Sequence, residues 1–234
     1  VKGKIPETLP QYLITRLKLM SLEKALISIH QPANASDLKN ATFRLKFEEL
    51  FFIQLKILSV KSNREKKFRG FRFEKVGFNF NNFYNNYLPF PLTGAQMKVI
   101  KEIRRDVNRE IQMNRLLQGD VGSGKTLVAL MCMLIAIDNG FQCALMAPTE
   151  ILAQQHFRSI NRMLNGMEVG ISLLTGSTKK AERIKIAEGL ENESIQILIG
   201  THALIEDNVV FNNLGFVVID EQHKFGVQQR ALLS

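Results

Sequence analysis

The stretch "GDVGSGKT" at 119–126 has the residue types and spacing to hold phosphate groups. It follows G-x-x-x-x-G-K-[ST], and it joins a segment that reads as a strand to one that reads as a helix. Gly119, Gly122 and Gly124 let backbone N–H groups, among them those of Asp120, Val121 and Ser123, wrap phosphate oxygens with no Cβ in the way. Lys125 can bring its ammonium to the β- and γ-phosphates, and Thr126 can place a hydroxyl on Mg²⁺. The positive end of the following helix adds a favourable field for the anion. The chemistry implied is binding of ATP with Mg²⁺.

A nucleoside triphosphatase of this type needs a second, acidic site at the C-terminal end of another strand. "FVVID" at 216–220 supplies Asp220 for the metal, and Glu221 follows on the same rim, where it can orient or deprotonate a water. Taken alone, such a pair would read as a helix cap or a solvated turn; its companionship with 119–126 gives it the catalytic reading. In "PLTGAQ" at 91–96, Thr93 and Gln96 fit a T-x-x-Q capping box. The Gln96 amide could equally read an adenine edge, with Phe90 stacked on the base. The residues leave both open.

Three further loops combine Thr with Gly or Pro at strand ends: Pro148 and Thr149, Thr175 and Gly176, and Thr201 and His202. In open parallel sheets ligands bind at that rim. Hydroxyls and free N–H groups there suit nucleic-acid phosphates, although each Thr is also a natural helix cap. His30, His156, His202 and His223 have no spacing that suggests zinc. They read as polar or core residues, His223 standing apart because it adjoins Glu221.

These side chains need a scaffold, and the pattern supplies one. Apolar strands are expected at 115–119, 143–148, 169–175, 195–200 and 216–220, with helices over 93–108, 124–139, 149–164 and 178–190 between them. Near-continuous apolar strands alternating with helices predict a parallel sheet covered on both faces, an α/β fold. Before Pro89 and Pro91 the chain reads as helical, with helices at 21–30 and 41–60. The apolar residues of the second, at 43, 47, 50, 51, 55 and 58, predict a strut docked on more than one side. The Asn- and aromatic-rich stretch 78–91 reads as an ordered linker. Two domains are expected, 1–89 and 90–234.

Charge divides the chain at the same place. Residues 1–90 hold 16 Lys and Arg against 7 Asp and Glu, and residues 91–234 hold 15 of each, so the net +9 lies entirely in the first part. The densest run, "KSNREKKFRGFRFEK" at 61–75, suits a polyanion. Two isolated cysteines, Cys132 and Cys143, fit a reducing compartment better than a disulfide framework. No apolar run approaches about 18 residues, so no membrane span is expected.

The motifs together resemble the superfamily 2 helicases: "GDVGSGKT" their first motif, "APTEILAQQH" and "TGS" the next two, "GTHALI" a further one, and "DEQH" the second. "DEQHKFGVQQR" with "GDVGSGKT" is similar to the RecG family of branch-migration helicases. Ser123 and Gln222 favour that family over the transcription-repair coupling factors. "IPETLP", "MSLEKALISIHQP" and "FRLKFEELFFIQL" look like its helical connector. The resemblance implies a RecA-like motor lobe that binds ATP and Mg²⁺ and acts on branched DNA, with Gln222 and His223 coupling the two. It also implies a monomeric protein of the bacterial cytoplasm. A wedge domain before the connector, and a second RecA-like lobe with an arginine finger after residue 234, would belong to the same parent chain. The 234-residue piece alone is then expected to be nearly inactive. Two other readings are a double-stranded DNA translocase of the coupling type and a non-motor nucleotide-binding regulatory module.

Overall fold

Nearly every position of the central strands is apolar because both faces of the sheet are covered. In the structure, a computed structural model that describes residues 5–67, 69–206 and 208–224, the chain divides into two compact units, Val1–Phe68 and Arg69–Ser234.

The first unit is helical: α1 (Gln11–Leu17), α2 (Leu22–His30) and α3 (Ala35–Lys67), with α2 packed along α3. α3 has 33 residues, a length of about 50 Å at 1.5 Å per residue. The packing differs from the expected docked strut. The fully buried positions of α3 are Ala41 and Arg44, while Phe43, Leu50, Leu55 and Leu58 of the apolar stripe are exposed. A charge cluster does the joining instead. The Arg44 guanidinium donates to Glu7 and Glu48, and the other oxygen of Glu7 accepts the Leu22 N–H that begins α2, at 2.9 Å. Burial works to raise the Glu7 pKa. The N–H groups of Leu22 and Leu9 and the Arg44 guanidinium outweigh it and hold the carboxyl below the usual glutamate range. A buried guanidinium is tolerable only with such partners.

The second unit begins earlier than the prolines suggested. Phe73 and Phe83 are core residues at 3% and 0% exposure. The Asp138 carboxylate accepts the N–H groups of Gly77, Asn79 and Phe80 at 2.8–3.1 Å, which caps α4 (Phe78–Asn82). A π-helical turn, Phe83–Tyr87, follows. Residues 69–89 therefore belong to the sheet-bearing unit, and the division falls at 68/69, not at Pro89.

Next come α5 (Gly94–Val107), α6 (Lys125–Asp138), β1 (Gln142–Met146), α7 (Glu150–Met163), β2 (Ile171–Leu174), α8 (Lys180–Glu191), β3 (Ile197–Gly200) and β4 (Leu214–Ile219). The four strands are parallel, in the order β2-β3-β1-β4. Alternate residues of one strand feed different layers, as the pleat requires. Cys143 and Leu145 join the large core of α5, α6 and α7 with Phe73 and Phe83. Ala144 and Met146 join the smaller core of α8 and the 3-10 turn His202–Ile205. α6 is buried at ten consecutive or near-consecutive positions from Leu127 to Ile137. Its Cys132 thiol is pushed up to about 12 by burial, and Cys143 is raised by burial and then by Cys132.

The expected α/β fold is thus present, with one strand fewer among the described residues. Residues 115–119 form no ladder. Leu117 packs on the core, while Arg115 turns back to pair with Glu102 at 2.8 Å and with Asp106 on α5. A segment that spends its polar groups on a helix has apolar content but no strand partner. Among the described residues no helix is long and apolar enough to cross a membrane.

Candidate nucleotide site

The phosphate loop owes its shape to two glycines. Gly122 and Gly124 have φ of +79° and +77°, the left-handed region that side chains resist. A Cβ on Gly124 would also stand 2.4 Å from Gln96 Nε2. That contact exists because Gln96, buried at 8% exposure, works in two directions. Its Oε1 accepts the Thr93 N–H at 2.9 Å while its own N–H reaches Thr93 Oγ1 at 3.2 Å, so the capping box at the start of α5 is complete. Its Nε2 donates to Ser123 O at 2.9 Å and braces the loop from behind. The cap is therefore real, and the amide also serves the loop. Phe90 stands nearby in sequence at 52% exposure.

Lys125 opens α6. Its Nζ donates to Gly119 O at 2.7 Å and Asp120 O at 2.9 Å, which keeps the ammonium within the loop. Among the described residues the loop makes one internal backbone bond, from Ser123 N–H to Asp120 O at 3.2 Å. Its other amides are the natural donors for phosphate oxygens.

β4 delivers the acidic pair to the same rim. The Asp220 N–H donates to Met146 O at 2.9 Å and extends the pairing with β1 by one residue. Asp220 Oδ1 accepts the Glu221 N–H at 3.0 Å, and Oδ2 lies 2.8 Å from His156 Nε2. The bond from His156 holds the Asp220 carboxyl below the usual aspartate range. Partial burial opposes this, and the Lys125 charge adds to the lowering. Glu221 has a φ of +50°, a turn that lets the chain leave the strand at once. Gln222 is exposed and starts a 3-10 turn, Gln222–Lys224. The side chain of His223 and residues 225–234 lie outside the described residues.

An ammonium, loop amides, one hydroxyl and one ionised carboxylate form a hard, oxygen-seeking donor set that fits phosphates and Mg²⁺. Mg²⁺ takes only one or two protein oxygens beside those of the phosphates. Among the described residues no group of three or more His, Cys, Asp or Glu could hold a metal by itself. The reading therefore rests on Thr126 and Asp220.

The other rim loops are arranged differently from expectation. Thr149 is exposed and caps α7 through Leu152 N–H at 3.3 Å. Pro148 is half-buried, and Gly176 and His202 are exposed. Thr175 and Thr201 are not available as hydroxyl contacts, being only 3% and 2% exposed. Thr175 Oγ1 lies 3.0 Å from Ser177 Oγ, because a buried hydroxyl in the short loop between β2 and α8 must find its partner within the protein. Sequence reasoning missed what fixes this loop. Glu150 accepts from Ser177 N–H at 3.1 Å and Ser177 Oγ at 2.8 Å, and Arg183 donates to Thr175 O and Thr178 O and pairs with Glu206. His156 was missed as well. Its partner is 64 residues away, and no local signal joins them.

Residues 93–233 match the DEAD/DEAH box helicase family. The chain belongs to the DEAD/DEAH box helicases. The chain is similar, over nearly its whole length, to ATP-dependent DNA helicase RecG of several bacteria. The relative in Synechocystis sp. is 45% identical over 99% of this chain and 28% of its own length. Those of Thermotoga maritima and Bacillus subtilis are each 44% identical over 98% of this chain and cover 29% and 33% of theirs. The chain thus spans about a third of the length of the relatives it matches. Among solved structures it superposes on RecG bound to a three-way DNA junction with a TM-score of 0.81 and 43% identity, over 95% of this chain and 30% of that one. The DUF1998 helicase MrfA, at 21% identity and a TM-score of 0.50 over 64% of this chain and 24% of its own, shares the fold. The family and fold expected from the motifs are borne out.

Proposed function

We propose that the second unit is the ATP-binding lobe of a helicase motor that remodels branched DNA, such as forks and four-way junctions, in repair and recombination. The observation that carries this is geometric. Lys125 opens α6 with its ammonium on Gly119 O and Asp120 O, and Asp220 ends β4 beside Met146 of β1, both within the helicase-matched residues. Similarity to a RecG bound to a three-way DNA junction supports branched DNA as the partner.

In this reading the amides of 119–124 and Lys125 bind the phosphates, while Thr126 and Asp220 hold Mg²⁺. The metal, when bound, neutralises charge on the transferring phosphoryl group. Glu221 holds the attacking water and takes its proton. Phe90 and Gln96 border the base. Pro148, Thr149, Gly176 and His202 meet the DNA backbone along the exposed rim, with Thr175 and Thr201 contributing main chain only. Gln222 and His223 relay between the two sites. Residues 1–68 act as a connector in a longer chain. A wedge and a second RecA-like lobe in that parent chain complete the machine, which works as a monomer in the bacterial cytoplasm. An arginine finger contributes roughly 10³–10⁵ in rate at related sites. This lobe alone is therefore expected to bind nucleotide and hydrolyse it slowly.

Two measurements test the proposal. Titration calorimetry of this chain should show binding of ADP that strengthens with Mg²⁺. In the full-length parent, forked DNA should raise ATP turnover at least tenfold over linear duplex. Equal turnover with and without the fork would overturn the branched-DNA assignment.

A further inference from the structure

α7 is amphipathic, and its inward stripe passes through Ala153, His156 and Ile160. Ala153 and Ile160 are completely buried, and positions three and four apart share a helix face. A histidine between them sits where an apolar side chain would serve packing better. Its side chain is 16% exposed, and a buried polar tip is costly without a partner. The partner is the Asp220 carboxylate, 2.8 Å away. An ionised carboxylate can only accept, so Nε2–H of His156 donates to Oδ2. Glu221 N–H occupies one site on Oδ1. The carboxylate is thereby held from two directions, while two oxygens carry about four lone-pair sites between them. The remaining sites are uncommitted to these two donors.

We propose that His156 is a positioning residue for Mg²⁺ binding, locking Asp220 in the orientation that the metal requires. This rests on the reading of Asp220 as the metal-holding carboxylate. It also gives α7 a double attachment. The first residue of the helix, Glu150, grips Ser177 of the neighbouring rim loop, and less than two turns later His156 grips Asp220. Groups that orient a metal ligand typically alter metal affinity by 10–100-fold when removed.

The test compares His156→Leu and His156→Gln with the wild-type chain, measuring ADP affinity by calorimetry in EDTA and across a Mg²⁺ series. His156→Leu should raise the half-saturating Mg²⁺ concentration roughly tenfold and leave ADP affinity in EDTA unchanged. The Gln amide places a donor near the position of Nε2, so His156→Gln should recover most of the Mg²⁺ response. If His156→Leu does not fold, His156→Asn, whose amide falls short of Asp220, takes its place. A wild-type Mg²⁺ requirement in the Leu or Asn variant would overturn the proposal. So would an equal loss in EDTA and Mg²⁺, which marks a purely structural role. Failure of the underlying site is distinguishable: Asp220→Asn would then leave the Mg²⁺ dependence of the otherwise wild-type chain unchanged.

Discussion

The phosphate loop and the Thr175–Thr178 loop sit on the same rim and draw on similar residues, yet they use them in opposite ways. At 119–126 Gln96 braces Ser123 O from behind and Lys125 Nζ holds two loop carbonyls, but among the described residues Ser123 N–H to Asp120 O is the one bond between the loop's own backbone groups. At 175–178 the polar groups are already spent. Thr175, Ser177 and Thr178 bond among themselves, Glu150 takes the Ser177 donors, and Arg183 takes the carbonyls. On the proposed reading, the difference separates a site built to take an anion from a loop that is finished without one. A Gly- and Thr-bearing strand end is a binding loop only where its donors remain uncommitted.

The largest break in that contrast should come from Lys125→Ala. Each charge-assisted bond lost should cost roughly 1.5–3 kcal/mol of nucleotide binding. The melting temperature should stay close to wild type, since Nζ bonds only exposed loop carbonyls. Calorimetry beside a melting curve checks both halves. Gly124→Ala comes next. Its Cβ meets Gln96 Nε2, and its φ is left-handed, so about 1–3 kcal/mol of strain should appear as lower stability and weaker Mg·ADP binding together. Gln96→Ala should cost about 1 kcal/mol for the lost cap and should also weaken ADP by loosening Ser123. If it weakens ATP more than CTP, the amide reads the base as well; equal weakening confines it to cap and brace. The smallest effect is expected from Glu150→Ala. Losing two bonds at a half-exposed loop should destabilise by about 1 kcal/mol with Mg·ADP affinity unchanged. A clear loss of ADP affinity there would erase the distinction between the loops.

Legibility in the sequence followed the range of each interaction. The glycine turn at 122–124, the T-x-x-Q cap and the apolar strands β1, β3 and β4 are local patterns, and the structure has them where the sequence put them. Long-range pairings were not legible. Leu117 and its neighbours have strand composition, but Arg115 is drawn to Glu102 and Asp106. The apolar stripe of α3 promised packing that, within its unit, Ala41 and Arg44 carry instead. The break at the prolines was a fair reading of composition. It could not foresee that Asp138 would collect the N–H groups of residues 77–80. The contact of His156 had no local signal, because the residue that explains it lies 64 positions away at the end of β4.

The two cysteines turn the core behind the phosphate loop into a stopwatch. Only a thiolate attacks a disulfide reagent. Cys132, at 2% exposure, and Cys143, at 0%, are held in the protonated form and away from solvent. Labelling therefore counts openings of the second unit, with no dye or mutation needed. Where reclosing outpaces labelling, the rate follows the open population. A ligand bound only to the closed form, at about 100 times its Kd, should slow the count about 100-fold. One thiol assay would thus weigh any nucleotide, metal or variant by the time it keeps α6 and β1 shut.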